Sequence, residues 1–585
     1  MNTRFLAVSA VSLILLGSCG HRLKDGDYTL TVLSTNDVHS TWFDSTYTGG
    51  DIKKSLFAMN YYIDSVRTAD GFDNVLLVDA GDCLQGDNAA YYYNYVDTVT
   101  PHLFPRLIEY MRYDAIAMGN HDIETGHPVY DRVQEGLIHA GSPFMAANAI
   151  RNDNGKSYFP AYRMVVKAGL RIAVLGYNNA NIKAWLSEEL WSGMHFESIA
   201  SRIQEDVDYV RQREKPDVVV AAMHSACGQG DGTILEAEAL DAFNRVKDVD
   251  WLICGHDHRP YVEPRDTTAL LNSGSHSRFV AHGKMHLTVS GGKVVKKSFE
   301  TDLIPVDAAK ADPVMREHFR GDFEAVRAFT LQEVGELKTD LRTRDAYAGM
   351  SDYVNLIHTL CLSQAPAELS IAAPLTYNGT VKAGTLVFND LFTIYPFENQ
   401  LYVITMTGEE IVRYLEASYD RWINTISSPS EHVLKIEPRD NPRNQQKGWS
   451  FIHPSYNFDS AAGLNYTVDV TKPRGGRVAV QSMADGSAFE PARTYNVAIT
   501  SYRASGGGNL LDEIGIDTDR IDERVVARYP EIRSILYDYL KEKGSIDPAV
   551  VGDPKIIGSW RFVPERIAAP AVRSDLTLLF GSSSK

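Results

Sequence analysis

The chain has 585 residues, too many for one hydrophobic core, and its even composition contains no low-complexity tract, which points to two or three globular domains. A formal net charge of −17 argues against a general nucleic-acid or duplex binder, because neutralising a phosphate backbone takes a basic surface. A compact anionic substrate stays compatible with that charge if metal ions supply local positive potential.

At the start, Arg4 precedes an apolar stretch over residues 5–16 and then Gly17-Ser18-Cys19, the succession of a secretory signal. About a dozen residues is too short to span a bilayer. A cysteine directly after Leu16-Gly17-Ser18 resembles a bacterial lipobox. Residues 1–19 are therefore expected to be a lipoprotein signal peptide with Cys19 as the lipidation site, a plain secretory signal being the alternative. The body is then expected at the cell envelope, periplasmic or outer-surface, meeting membrane only through that anchor. Cys83, Cys227, Cys254 and Cys361 form neither a disulfide framework nor a zinc knuckle, and read as small buried residues with room for one disulfide.

Residues 29–35 alternate into a strand that ends in Asn36-Asp37-Val38-His39. Ile52, Leu56, Met59 and Ile63 recur at helical spacing. A strand at 74–78 opens into Asp79-Ala80-Gly81-Asp82, and one at 114–118 into Gly119-Asn120-His121-Asp122-Ile123-Glu124. Strands at 171–175, 217–223 and 250–254 lead to Asn178-Asn179, to His224 and to Gly255-His256-Asp257-His258, and 269–272 runs on to Gly274 and His276. Near-continuous apolar strands separated by helix-length segments predict a buried α/β sheet layered on both faces. Five of them release Asp, Asn or His at the same end, where ligands of open α/β sheets sit.

Residues 306–345 are charged and helical in pattern, as a linker would be, between a domain over 27–305 and a second over 346–560. In the second, 401–406 reads as a strand and 408–419 as a helix with Ile411, Leu415 and Ser418 on one side. Residues 421–454 are polar, proline-bearing and patternless, and read as a long loop or insertion. Strands are expected around 466–470 and 495–500, the latter ending in Ser501-Tyr502-Arg503-Ala504 and a glycine run.

Hydrolysing a phosphate ester at neutral pH needs an activated water and a sink for charge on the phosphoryl oxygens. Two divalent ions roughly 4 Å apart provide both. They need mixed oxygen and nitrogen ligands with one carboxylate shared. The strand ends offer Asp37, His39, Asp82, Asn120, His224, His256 and His258, enough for two ions with water positions open. Nothing in the residues chooses among manganese, zinc, magnesium, cobalt and iron.

The ordered set Asp-x-His, Gly-Asp, Gly-Asn-His-Asp, a lone His after a strand and Gly-His-x-His resembles the calcineurin-like metallophosphoesterases. The resemblance implies one ion on Asp37, His39 and His258, another on Asn120, His224 and His256, and Asp82 bridging. It also implies that His121 faces the substrate as a donor to the leaving-group oxygen. Related nucleotidases orient that histidine with an aspartate; the matching residue here is Glu124, one methylene longer.

The second half is similar to the C-terminal domain of the 5′-nucleotidase family. Together the resemblances imply a two-domain α/β protein, an N-terminal metallophosphoesterase sandwich joined by a helical linker to a C-terminal α/β nucleotidase domain, whose Phe397 and Tyr502 sandwich a nucleotide base. Asn378 and Arg503 are the further candidates for substrate contact. The phrases 395–399, 456–459 and 501–508 are most similar to the 2′,3′-cyclic-nucleotide 2′-phosphodiesterases with 3′-nucleotidase activity. Where 5′-nucleotidases carry an arginine-bearing phosphate clamp, this chain reads Ala372-Ala373-Pro374-Leu375-Thr376-Tyr377-Asn378. Loss of a bidentate donor weakens the hold on a 5′-phosphate. The activity this resemblance implies is metal-dependent hydrolysis of nucleotide phosphoesters, opening a 2′,3′-cyclic nucleotide and then removing the 3′-phosphate; the alternatives are a 5′-nucleotidase or broad nucleotide hydrolase, and a non-catalytic nucleotide-binding lipoprotein.

Overall fold

The computed structural model describes residues 23–440 and 447–581. Cys19 and the signal stretch lie outside the described residues.

The strands of the first half are β1 (Gly26–Thr35), β2 (Val75–Asp79), β3 (Ala115–Ala117), β4 (Phe144–Met145), β5 (Ala149–Arg151), β6 (Tyr162–Lys167) and β7 (Leu170–Tyr177). They continue with β8 (Met194–Phe196), β9 (Val218–Met223), β10 (Trp251–Cys254), β11 (Tyr261–Pro264), β12 (Ala269–Asn272), β13 (Phe279–Ser290) and β14 (Lys293–Pro305). The apolar strands form the sandwich that the calcineurin-like resemblance implies, not the single sheet that their pattern alone suggests. They divide into two six-stranded sheets, ordered β14-β13-β1-β2-β3-β4 and β11-β12-β10-β9-β7-β6. Leu30, Val32, Leu76 and Val78 of the first sheet meet Val174, Val220, Ile253 and Leu271 of the second in one buried core. Each sheet thus buries one face against the other sheet and one against helices, which makes its strands continuously apolar whichever sheet they join.

Helix Leu56–Asp70 covers the first sheet, N-capped by Ser55 through Ala58 N, with Leu56, Met59 and Ile63 inward. Helices Ile199–Glu214 and Ala239–Arg245 cover the second. Strands β1, β2 and β3 run parallel, as do β7, β9, β10 and β12, so their carboxyl ends gather at one rim.

Helices Pro313–His318 and Arg320–Thr330 follow, with Met315, Phe319 and Val326 packed on the first domain. From Glu333 the connector is already sheet, since Glu333–Leu337 pairs with Gly384–Val387. The second half is built on a five-stranded sheet of Ser460–Ala462, Leu369–Ala372, Thr494–Thr500, Gln400–Thr407 and Val525–Glu531. Helix Gly408–Trp422 opens with a capping box of Thr407 and Glu410 and buries Ile411, Leu415, Ser418 and Trp422. The stretch expected to be a patternless loop contains a hairpin of Ile436–Asp440 and Lys447–Phe451, with Pro438 opposite Trp449. Beyond residue 560, helix Glu565–Phe580 packs Ile567, Ala571 and Val572 into the same core.

The two halves touch through Asn88, whose Nδ2 donates to Asn389 Oδ1 at 2.9 Å, and through Tyr91 against Phe388 and Phe392. The Arg533 guanidinium lies over the rings of Tyr91 and Phe392 and pairs with Glu398 at 2.5 Å.

Candidate metal centre

The seven residues singled out at the strand ends converge at the common rim. His39 Nε2 lies 2.9 Å from His258 Nε2, and Asp37 Oδ1 lies 3.4 Å from His258 Nε2 and 3.9 Å from His39 Nε2. Beside them, Asp82 Oδ2 is 3.0 Å from His224 Nε2, and His256 Nδ1 is 2.9 Å from Asn120 Oδ1. Asp37 Oδ1 reaches within 4.0 Å of His224 Nε2, so the two groups adjoin. Asp37, His39 and His258, and Asp82, His224 and His256, each bring their ligand atoms within 4.8 Å of one another.

The backbone bends sharply to make this arrangement. Asp37 (φ 49°), His39 (φ 44°), Asp82 (φ 62°), His256 (φ 78°) and His258 (φ 59°) all adopt left-handed conformations, each costing about 1–2 kcal/mol. Such strain collects at functional sites, where it is held by the surrounding packing. The motif glycines leave room for it: a Cβ on Gly119 would lie 2.2 Å from Asp82 Oδ1, and one on Gly255 2.6 Å from Asp37 Oδ2.

Two residues overlooked in the sequence hold the loops. Asn36 donates to Asp37 Oδ2 (2.7 Å) and Gly274 O (2.7 Å), and its Oδ1 accepts from Ser273 N (2.8 Å). The buried Asp122 carboxylate accepts from Asp82 N, Cys83 N, Leu84 N and Gly119 N at 2.8–3.0 Å. It thereby ties the Gly-Asp loop to the Gly-Asn-His loop. Trp185 stacks on His256 at 5.0 Å, and His276 on His39 at 5.1 Å. Polar residues beside a ligand motif are the available signal for Asn36 and Asp122; Trp185 has no local signal.

The donor set fits cations. His224 Nδ1 donates to Ala80 O at 2.8 Å, which leaves the lone pair on Nε2, a buried atom with no hydrogen-bond partner, facing Asp82. His39 Nδ1 is likewise engaged by Gln85 O at 3.2 Å, which turns its Nε2 lone pair toward His258. Nitrogen and carboxylate lone pairs converging out of water need positive charge among them.

His121 stands at the edge of this group, its ring 5.4 Å from that of His39. Its Nδ1 is 2.5 Å from Glu124 Oε2, so the longer acid closes the pair. Burial alone would depress the imidazole, but Asp82 and Glu124 outweigh it and hold its pKa up at about 10.

Across the interface, Phe397 and Tyr502 share a third aromatic neighbour. Tyr456 adjoins both, its ring 6.4 Å from each and edge-on to both. Tyr502 lies against Gly507, where a Cβ would come within 2.5 Å of the ring. A cavity of about 280 Å³ between the domains is lined by Glu124 and Trp185 on one side and Glu398, Gln400 and Ser501 on the other.

The two further candidates for substrate contact sit in different settings. Arg503 is buried and fully engaged by the chain, pairing with Asp459 at 3.0 Å and donating to Asn457 Oδ1 and Tyr456 O. It braces the loops of Tyr456 and Tyr502 rather than presenting a free fork. Asn378 is exposed.

Comparison with known proteins agrees with this geometry. A family model of calcineurin-like phosphoesterases matches residues 30–260, and one of the 5′-nucleotidase C-terminal domain matches residues 333–513. The chain joins a calcineurin-like phosphoesterase domain to a 5′-nucleotidase C-terminal domain. It is 25% identical to a 2′,3′-cyclic-nucleotide 2′-phosphodiesterase/3′-nucleotidase of Haemophilus influenzae, over 96% of this chain and 92% of that one. It is 23% identical to a 5′-nucleotidase of Vibrio vulnificus, over 90% and 96%. A solved structure from Staphylococcus aureus shares the fold at 21% identity and a TM-score of 0.74, covering 91% of this chain and 99% of that one. A 5′-nucleotidase precursor from Thermus thermophilus does so at 21% and 0.59, covering 92% and 100%. This calcineurin-like phosphoesterase is a metal-dependent phosphoester hydrolase whose two Asp/His clusters suit a pair of divalent ions. No helix among the described residues is long and apolar enough to cross a membrane.

Proposed function

We propose that the protein hydrolyses 2′,3′-cyclic nucleotides and then removes the remaining 3′-phosphate. The observation that carries this reading is the cavity between the domains, lined by Glu124 and Trp185 beside the metal centre and by Glu398 and Ser501, the sequence neighbours of Phe397 and Tyr502, so that a flat base held by the aromatic rings can bring its sugar phosphate toward the cations. The loop at 372–378 has no arginine to clamp a 5′-phosphate, which favours the cyclic and 3′ esters. The Haemophilus influenzae relative carries both of those activities in its name.

In this reading Asp37, His39 and His258 would hold one ion and Asn120, His224 and His256 the other, with Asp82 available to both. When bound, the ions polarise the phosphate, supply an acidified water and absorb charge on the phosphoryl oxygens. Asn36 and Asp122 keep Asp37 and Asp82 aimed. His121, held through Nδ1 by Glu124, presents its Nε2 proton to the leaving oxygen. The stacked Trp185 limits the swing of His256. Cys19 would anchor the enzyme at the envelope, where small nucleotides and not duplexes are its substrates.

The test offers the manganese-loaded protein 2′,3′-cyclic AMP, 3′-AMP and 5′-AMP side by side. Turnover is expected on the first two, with 5′-AMP slower. Fastest phosphate release from 5′-AMP would replace this reading with that of a 5′-nucleotidase, and binding of all three without turnover would make the protein a nucleotide-binding lipoprotein.

A further inference from the structure

Cys227 and Cys254 stand on the two loops that deliver His224 and His256. Strands β9 and β10 are parallel neighbours in which Met223 pairs with Cys254. His224 follows the first of these residues directly, and His256 comes two residues after the second. Cys227 lies three positions beyond His224, and its loop folds back so that the two Sγ atoms come within 3.7 Å. The approach is reinforced by Cys227 N, which donates to Asp257 Oδ2 at 3.1 Å, while Asp257 Oδ1 accepts from Asn272 Nδ2 at 3.0 Å. Cys254 is buried and Cys227 is partly exposed. The other two cysteines differ: Cys83 directs its thiol to Asp79 Oδ1, and Cys361 is buried in the second domain's core.

We propose that Cys227 and Cys254 form a disulfide that staples the loops of His224 and His256 together. The sulfurs need to close from 3.7 Å to a bond of about 2.05 Å, and the partly exposed side is the one free to adjust. The oxidant is an external disulfide of a small thiol or of a thiol oxidase. The Cys227 thiolate attacks one of its sulfurs, forming a mixed disulfide and expelling the first thiol. Cys254 then loses its proton to solvent and attacks Cys227 Sγ, expelling the second. Two protein thiols are oxidised and one external disulfide is reduced, so electrons and protons balance.

The bond spans 27 positions, a loop whose closure restricts the unfolded chain. It also links the two imidazole-bearing loops covalently.

Full-length protein incubated with oxidised glutathione, or with reductant, would be denatured, alkylated and weighed. The oxidised sample is expected to carry two fewer alkyl groups, and its digest to contain one peptide pair joined through Cys227 and Cys254. Cys227→Ser is expected to abolish the difference. Equal alkylation in both samples, a pair between other cysteines, or glutathione left stably on Cys227 would each overturn the proposal. A chelator chase of manganese-loaded protein reads the consequence: ion loss is expected to be several-fold slower from the oxidised form, and equal rates would refute the staple.

Discussion

His121 and Glu124 lie three residues apart and meet as an ion pair, Nδ1 to Oε2 at 2.5 Å, with the carboxylate the more sheltered partner. The geometry fixes which imidazole nitrogen is turned toward the substrate. Glu124→Gln keeps the shape and removes the charge, so kcat on 3′-AMP is expected to fall by about 10–100-fold while KM changes little. Nitrophenyl phosphate, whose leaving group needs no proton, is expected to lose far less. Equal losses on both esters would show that Glu124 only shapes the loop.

Asp82 lies beside His224, and its Oδ1 accepts from His121 N at 2.8 Å. Asp82→Asn is expected to cut kcat/KM by more than ~100-fold, since loss of even an outer partner of a metal ligand costs 10–100-fold. Elemental analysis is expected to find less than two ions per chain. Activity within about threefold of the parent would remove Asp82 from the shared position.

Asp122 accepts four backbone amides and is fully buried. Asp122→Ala leaves those donors without a partner in a dry site, each unsatisfied group costing about 1–3 kcal/mol. A loss of at least ~3 kcal/mol in urea unfolding is expected, together with weaker metal retention. Asp122→Asn, which keeps one carbonyl acceptor, should fall between the two.

Phe397, Tyr456 and Tyr502 each offer a face or an edge to a base. Stacking contributes about 1–3 kcal/mol per aromatic residue, so each alanine variant is expected to raise KM for 3′-AMP by about 5–150-fold. Nitrophenyl phosphate, which presents no nucleobase, should report near-parental values. A matching loss on both would mean that these rings are only packing.

His358 lies buried between Ser370 Oγ and Ser460 Oγ, and burial pushes its pKa down from 6.5 to about 3. Between those values the unfolded chain binds a proton that the folded one refuses. Its contribution is therefore whole above pH 6.5 and is lost as pH falls toward 3, by about 1.4 kcal/mol per unit. Melting temperature is expected to fall on acidification from pH 6.5 to 5, and to fall less steeply in His358→Gln.

The ligand types and their order are local facts. An apolar run, a glycine and then Asp, Asn or His records a strand leaving a core and entering a polar loop, so Asp37, His39, Asp82, Asn120, His224, His256 and His258 are readable one loop at a time. The helix over 408–419 is readable for the same reason, since period and capping residues lie within a few turns. Other features depend on partners distant in the chain. The division of the strands between two sheets is set by pairing, and pairing is invisible when both faces of every strand are covered. Arg503 looks like a free guanidinium until Asp459 and Asn457 fold against it. Tyr456 looks like a loop residue until its ring meets those of both Phe397 and Tyr502.

The sequence by itself determined which side chains are available to hold two cations and at which end of the strands they emerge, because both follow from backbone periodicity over a few residues. Only the tertiary structure decided that His39 and His258 meet at 2.9 Å across 219 positions, and that the sulfurs of Cys227 and Cys254 touch. Contacts between side chains so far apart depend on sheet register and loop direction, which the packing of the whole domain sets.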